Sequence, residues 1–212
     1  MFTSGNGIMD SQMLRSEIKE LHFIAHIDNL PSIVGRGILC HNRVKKIQHI
    51  SVADQKIQDR HAKVVVPGGL KLHAYVNLYF NARNPMMYKI RGRHRELCIF
   101  QTYPAILDEP NVVISGGNAS SEYTRFHPSP EGMKNLDKSL VYAENWIDND
   151  PFQYWRRKSA VCAEVLVPYS VPPRFLKGIY VSCQDAYQKV TELLKSSPLV
   201  ESVSLNPRLF FL

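Results

Sequence analysis

Trp155-Arg156-Arg157-Lys158-Ser159-Ala160-Val161-Cys162-Ala163-Glu164-Val165-Leu166-Val167-Pro168 is the stretch on which the fold turns. Three cations lead into an apolar run that carries a single carboxylate. In a strand, Val161, Ala163, Val165 and Val167 line one face, and Cys162, Glu164 and Leu166 line the other. Pro168 ends the run. A carboxylate inside such a strand is costly if buried, unless it is paired or has a task. Two readings stand. Either this is an edge strand with Glu164 facing water, or Glu164 is a catalytic carboxylate in a cleft, with a basic loop arriving just before it.

The chain around it has 212 residues, enough for one substantial core. Its 44% hydrophobic and 21% charged residues place it among globular proteins. The net charge of +7 fits a polyanionic partner, although many basic proteins have none. Cys40, Cys98, Cys162 and Cys183 are scattered without a Cys-x-x-Cys pair, which excludes a disulfide framework or a zinc knuckle. No apolar run is long enough to span a bilayer, and Met1 to Met9 lacks the apolar centre of a signal peptide. A reduced, cytoplasmic setting is expected, with no membrane association. Residues 1–12 are expected to form a flexible leader and 13–212 a single domain.

Taken in order, Asp10 to Glu20 has mild helical character and Leu21 to Ile27 reads as a strand. A short helix follows, with Asp28 or Asn29 as cap, Pro31 in the first turn and Gly37 at its end. Ser51 to Arg60 reads as a second helix, with Ser51 and Asp54 in a capping-box spacing. Arg60 then sits at a helix C-terminus, where a cation also suits the dipole. Strands are expected over Leu72 to Phe80, Glu96 to Tyr103, Val112 to Ser115, Gly178 to Cys183 and Arg208 to Leu212. Helices are expected over Asn118 to Phe126, Leu136 to Trp146 and Asp185 to Leu194, the last capped by Asp185 with Gln188. Asp148-Asn149-Asp150-Pro151 is a strong break. Strands without regular helix alternation argue for an α+β fold.

Known motifs are mostly absent. There is no Walker loop, no Gly-x-Gly-x-x-Gly and no Gly-x-Ser-x-Gly. His22 and His26 have metal spacing only on a helix, and no zinc-protease Glu lies between two histidines, so no metal is expected. Basic residues group at Lys45-Lys46, at Lys89 to Arg95 and at Arg156 to Lys158, with Tyr79, Phe80, Tyr88, Trp146, Tyr154 and Trp155 nearby. Cations for phosphates and flat rings for unstacked bases suit a single-strand binder. Each cluster alone reads more readily as a solvated face.

Several segments together resemble one family. They are His26-Ile27-Asp28-Asn29-Leu30, His41-Asn42, Ile57-Gln58-Asp59-Arg60, Pro67-Gly68-Gly69, Tyr75 to Phe80 with Asn81-x-Arg83-Asn84-Pro85-Met86, and Ala163-Glu164-x-Leu166-Val167-Pro168. Their order and spacing, from about His22 to Val181, are similar to the DarT family, DNA ADP-ribosyltransferase toxins of bacterial toxin–antitoxin pairs. The resemblance implies an ADP-ribosyltransferase fold, two small and mostly antiparallel sheets forming an NAD cleft flanked by short helices. It implies NAD as co-substrate and mono-ADP-ribosylation of a base in single-stranded DNA, with guanine expected over thymine. Glu164 and Arg60 take the catalytic roles. His26, Asn29, Arg60 and Tyr79 contact NAD. Arg83, Trp155, Arg156, Arg157 and Lys158 are expected to contact DNA, with 145–163 as the loop that presents the target base. A macrodomain antitoxin, DarG, is the implied partner of a monomeric toxin.

The chain departs from the family pattern in two places. Phe23 stands where members often carry a His, and only Arg60-His61 represents an arginine-rich run after the second helix. Those departures keep open a catalytically inactive nucleic-acid-binding module on the same fold. A transferase acting on RNA or protein is the other alternative.

Overall fold

The computed structural model describes residues 11–212. Most of the leader expected over 1–12 lies outside the described residues, and Gln12 already pairs with Asp137 in an isolated bridge. The strands are β1 (Leu21–His26), β2 (Ile38–Leu39), β3 (Tyr75–Tyr79), β4 (Leu97–Thr102), β5 (Val113–Ser115), β6 (Phe126–Pro128), β7 (Glu164–Pro168), β8 (Ser170–Val171), β9 (Leu176–Val181) and β10 (Val203–Leu205). The helices are α1 (Leu30–Arg36), α2 (His41–Val44), α3 (Gln55–His61), α4 (Pro85–Ile90), α5 (Lys138–Val141), α6 (Pro151–Ala160) and α7 (Gln184–Leu193).

Eight strands run in the order β10-β9-β4-β1-β3-β7-β5-β6, and β2 pairs with β8 separately. All pairings are antiparallel except β9 with β10. The long sheet is two four-stranded halves. β1 and β4 share six residue pairs and β3 and β7 share five, but β1 meets β3 at one pair, His22 with Tyr79. The two small sheets expected from the sequence are these halves, and the cleft opens where they diverge.

Alternation along β3 and β7 separates two environments. Val76, Leu78 and Phe80 join Ala163, Val165 and Val167 in the main core. Tyr75 and Leu166 on the opposite face pack in a smaller cluster with Leu72 and Val66. Gly37 ends α1 at φ 82, and a Cβ there would run into the Val171 carbonyl, so both backbone and space require glycine.

Several expectations are corrected. The run before Glu164 is helical, not a loop: Asp150 caps α6 by accepting from the Phe152 N–H at 2.8 Å, and Pro151 fills the first turn. β7 therefore starts at Glu164 itself. Asp54, not Ser51, caps α3, and Cys183, not Asp185, precedes α7, since Asp185 binds Arg95 at 2.7 Å. Neither Asp28 nor Asn29 caps α1 through its side chain. Residues 118–125 are turns held by Asn118, whose amide oxygen accepts from the Ser120 N–H at 2.9 Å, so the helix expected there is absent. The helix expected over Leu136 to Trp146 shrinks to α5, and among the described residues 11–20 the helical part is a 3-10 turn at Arg15–Glu17. The terminal strand is replaced by a 3-10 turn at Pro207–Phe210, because Pro207 fixes the entry and Phe210 is buried against Ile24 and Ile99.

Asn84 is fully buried, accepts from the Met86 and Met87 N–H groups at 2.9 and 3.1 Å, and donates to the Asn81 carbonyl at 2.9 Å. Asn84→Ala removes a helix cap and strands a buried carbonyl. It should cost about 2–4 kcal/mol, read as a lower urea midpoint at unchanged slope.

Candidate active site

Glu164 is 2% exposed on an interior strand between β3 and β5, which excludes the water-facing edge reading. The Asn77 amide donates to its Oε2 at 2.8 Å, and the Ala119 backbone N–H donates to the same carboxylate. Burial pushes the carboxyl up to about 7, against the lowering effect of those two bonds. Glu164 is thus a carboxylate poised to exchange a proton near neutrality, rather than a fixed anion.

Asn77 carries no role in the sequence reading. A signal existed: asparagine is disfavoured in strands, yet it stands inside the apolar and aromatic run Tyr75 to Tyr79. Tyr79 lies directly opposite Glu164 in the β3–β7 register, and its hydroxyl meets Met86 Sδ at 3.1 Å.

Glu164 lines a cavity of about 1340 Å³ bordered by strands of both half-sheets. That exceeds the roughly 300–1,000 Å³ of common small-molecule sites and leaves room for a dinucleotide beside a second reactant. Phe23, Ile24 and Ala25 of β1 line one side, and Asn77 and Tyr79 of β3 line the other. Five cations border it, Arg60, Lys63, Lys89, Arg91 and Lys158, against the acids Asp54, Glu122 and Glu164. Asp54 is itself paired with Lys89. The cavity therefore favours an anionic ligand.

Beside Arg60 stand three histidines. The His41 and His73 rings stack at 4.1 Å, and His61 lies 6.2 Å from His73. Burial and then neighbouring positive charge push His61 down to about 4, and burial also lowers His41 and His73. With their proton affinity lowered these imidazoles add little charge, so Arg60 and Lys63 supply the positive charge on that wall.

The structure gathers some of the expected site residues and separates others. Glu164, Asn29, Arg60, Tyr79, Trp155 and Lys158 line the cavity. The Asn29 amide is already engaged with the Ile50 backbone at 2.8 and 2.9 Å. His26 is outside the lining: its Nδ1 accepts from the Asp28 N–H at 3.2 Å, and Nε2 lies 3.7 Å from Glu96. On α6, Trp155 and Arg156 are exposed, and Lys158 Nζ sits 5.0 Å from the Trp155 ring centre. Arg157 turns away to Asp148 at 3.3 Å. Arg83 is outside the lining, with its guanidinium on the Arg208 carbonyl and 3.9 Å from the centre of the Phe211 ring.

Comparison with known proteins gives this arrangement a family. A model described as "DarT: ssDNA thymidine ADP-ribosyltransferase, DarT" matches residues 22–211. The chain belongs to the DarT family. A DNA ADP-ribosyl transferase–DNA ADP-ribosyl glycohydrolase fusion protein of Thermosipho africanus (strain H17ap60334) is 32% identical over 92% of the chain. The chain spans only 50% of that fusion. The structure of Thermus sp. 2.9 DarT in complex with ADP-ribosylated ssDNA is similar at 25% identity and a TM-score of 0.79, covering 94% of this chain and 99% of the other. The same Thermus protein in complex with NAD+ gives a TM-score of 0.74 at 25% identity, over 92% of this chain and 98% of the other. The ADP-ribosyltransferase fold expected from the DarT resemblance is thereby established.

The raised Glu164 value has a consequence for stability. Its folded pKa of about 7 lies above the ordinary 4.5, so the fold is favoured while the group is protonated. That advantage is complete below about pH 4.5 and is lost as pH rises through about 7. Glu164→Gln keeps one oxygen to accept from the Asn77 amide and never ionises. It should match wild type in acid and exceed it above neutrality by up to about 3 kcal/mol, read from chemical denaturation across pH.

Proposed function

We propose that this DarT protein transfers ADP-ribose from NAD to a nucleobase in single-stranded DNA, with Glu164 as the reacting carboxylate. The observation that carries this reading is one buried carboxyl, shifted to about 7, on the wall of a cation-bordered cavity. The bond from nicotinamide nitrogen to the ribose carbon breaks, and nicotinamide leaves with the bonding electrons. Positive charge grows on the ribose, and an ionised carboxylate beside it stabilises that charge. A base nitrogen then bonds to the same carbon, and its proton passes to Glu164. Asn77 orients the carboxylate by its 2.8 Å bond. Arg60 takes the phosphates of NAD, and Tyr79 forms the wall next to the reacting carbon. Asn29 acts by holding the loop at Ile50 over the cavity, and His26 by capping the turn that leads to it.

Trp155, Arg156 and Lys158 receive the strand: a ring for an unstacked base and two cations for phosphates. A base inside a duplex cannot reach a buried carboxyl, so single strands should be strongly preferred. Guanine is carried forward from the sequence as the base, while the matched family description names thymidine. Mass spectrometry of a mixed-sequence oligonucleotide after reaction with NAD separates the two. The reading extends to a toxin whose adduct is removed by a macrodomain antitoxin, DarG. The fused transferase–glycohydrolase relative supports that pairing. An inactive binding module, prompted by Phe23 in the lining, would instead bind the strand and release no nicotinamide.

Glu164→Ala should leave NAD binding largely intact and reduce transfer by about a hundredfold or more, measured as adduct formed per time. Adduct forming at the wild-type rate would remove Glu164 from the chemistry. Lys158→Ala should weaken oligonucleotide binding and flatten its dependence on salt, measured by fluorescence anisotropy, with little change in nicotinamide release.

A further inference from the structure

The two half-sheets are joined by a side chain more than by a ladder. After the single backbone pair of His22 with Tyr79, the next link is the His22 ring, whose Nδ1 lies 3.2 Å from the Phe80 carbonyl. Its Nε2 lies 3.1 Å from Glu20 Oε1. Glu20 is tied in turn to β9, by the Tyr180 hydroxyl at 2.9 Å and Lys177 Nζ at 2.8 Å. Burial would raise the Glu20 carboxyl, but the bonds from His22, Lys177 and Tyr180 outweigh it and bring it to about 2. Glu20 is therefore ionised and can only accept, as can the Phe80 carbonyl, so each ring nitrogen of His22 faces an acceptor.

A continuous chain of bonds thus runs from β9 through Glu20 and His22 to the β3 backbone, at the closed end of the wedge between the halves. Phe23, Ile24 and Ala25 follow His22 directly on one wall of the cavity, and Tyr79 precedes Phe80 on the other. Moving β1 against β3 by a fraction of an ångström changes the distance across the cavity from β1 to Glu164. We propose that His22 is a positioning residue: a pin, held at both ring nitrogens, that fastens the two half-sheets and sets the opening of the NAD cavity. The ligand named here rests on the proposed function, whereas the pin rests on geometry alone.

The test has two arms. Nitrogen NMR of the histidine rings in the wild-type protein, with the His22 signals assigned by their loss in His22→Gln, should show a His22 ring N–H protected from exchange with water. A His22 ring proton that exchanges as fast as that of an exposed imidazole overturns the pin, whatever the protein's activity. In the second arm, Tyr180→Phe and His22→Gln are compared with Val190→Ala, a buried α7 change off the cavity chosen as a stability control. The NAD dissociation constant should rise roughly tenfold in His22→Gln, the scale of one lost hydrogen bond to a charged group. It should rise less in Tyr180→Phe and stay unchanged in Val190→Ala. If His22→Gln lowers the melting temperature like Val190→Ala but binds NAD as wild type does, His22 is merely structural and the proposal fails. Wild-type protein that binds no NAD defeats the proposed function instead, and the nitrogen spectrum still decides the pin.

Discussion

The register of β3 against β7 is the constraint on which the rest depends. It sets Tyr79 opposite Glu164 and places Asn77 on the same face, within 2.8 Å of the carboxylate. A slip by one residue would turn Glu164 into the main core and Val165 into the cavity. The apolar partners prevent that: Val165 and Val167 are locked among Val76, Leu78 and Phe80. Packing on one face thus imposes an unfavourable burial on the other. The donors from Asn77 and Ala119 offset part of the cost, and the remainder appears as the elevated proton affinity of Glu164.

Around that carboxylate the fold supplies charge and space from different elements. Arg60 and Lys63 arrive from α3 and the turn after it, Lys89 and Arg91 from α4 and its end, and Lys158 from α6. None of these elements is long, and α3 and α6 bury no residue fully, whereas α4 is anchored by Met87. β1 and β3 share one ladder pair, and residues of both strands line the cavity. The side chains of Glu20 and His22 add a second link there, to the Phe80 carbonyl.

The unusual position of Glu164 was legible in the sequence because a lone carboxylate in an apolar strand violates a local rule, and the structure buries it on the cavity wall. The strand itself was legible only from Glu164 onward. Its approach was taken for a basic loop, although Asp150-Pro151 is a cap followed by a first-turn proline. The terminal Leu209-Phe210-Phe211-Leu212 read as a strand by composition, but strand formation needs a neighbour, and these rings fill a side cluster instead. Arg83 and Arg157 show the same limit for charge. Their sequence context was basic and aromatic, yet carbonyls and carboxylates distant in sequence or across a loop take up their guanidinium groups. The division of the sheet at a single residue pair is a long-range property that no local pattern encodes.

The central claim is that Glu164 is the carboxylate that takes the proton when a base in single-stranded DNA is modified. The most direct measurement is the rate of adduct formation on a single-stranded oligonucleotide at saturating NAD, followed by mass, from about pH 5.5 to about pH 8.5. The account expects the rate to rise with pH through one ionisation near 7 and then level, because Glu164 must be unprotonated to act. A rate that forms adduct but stays flat across that range would contradict it.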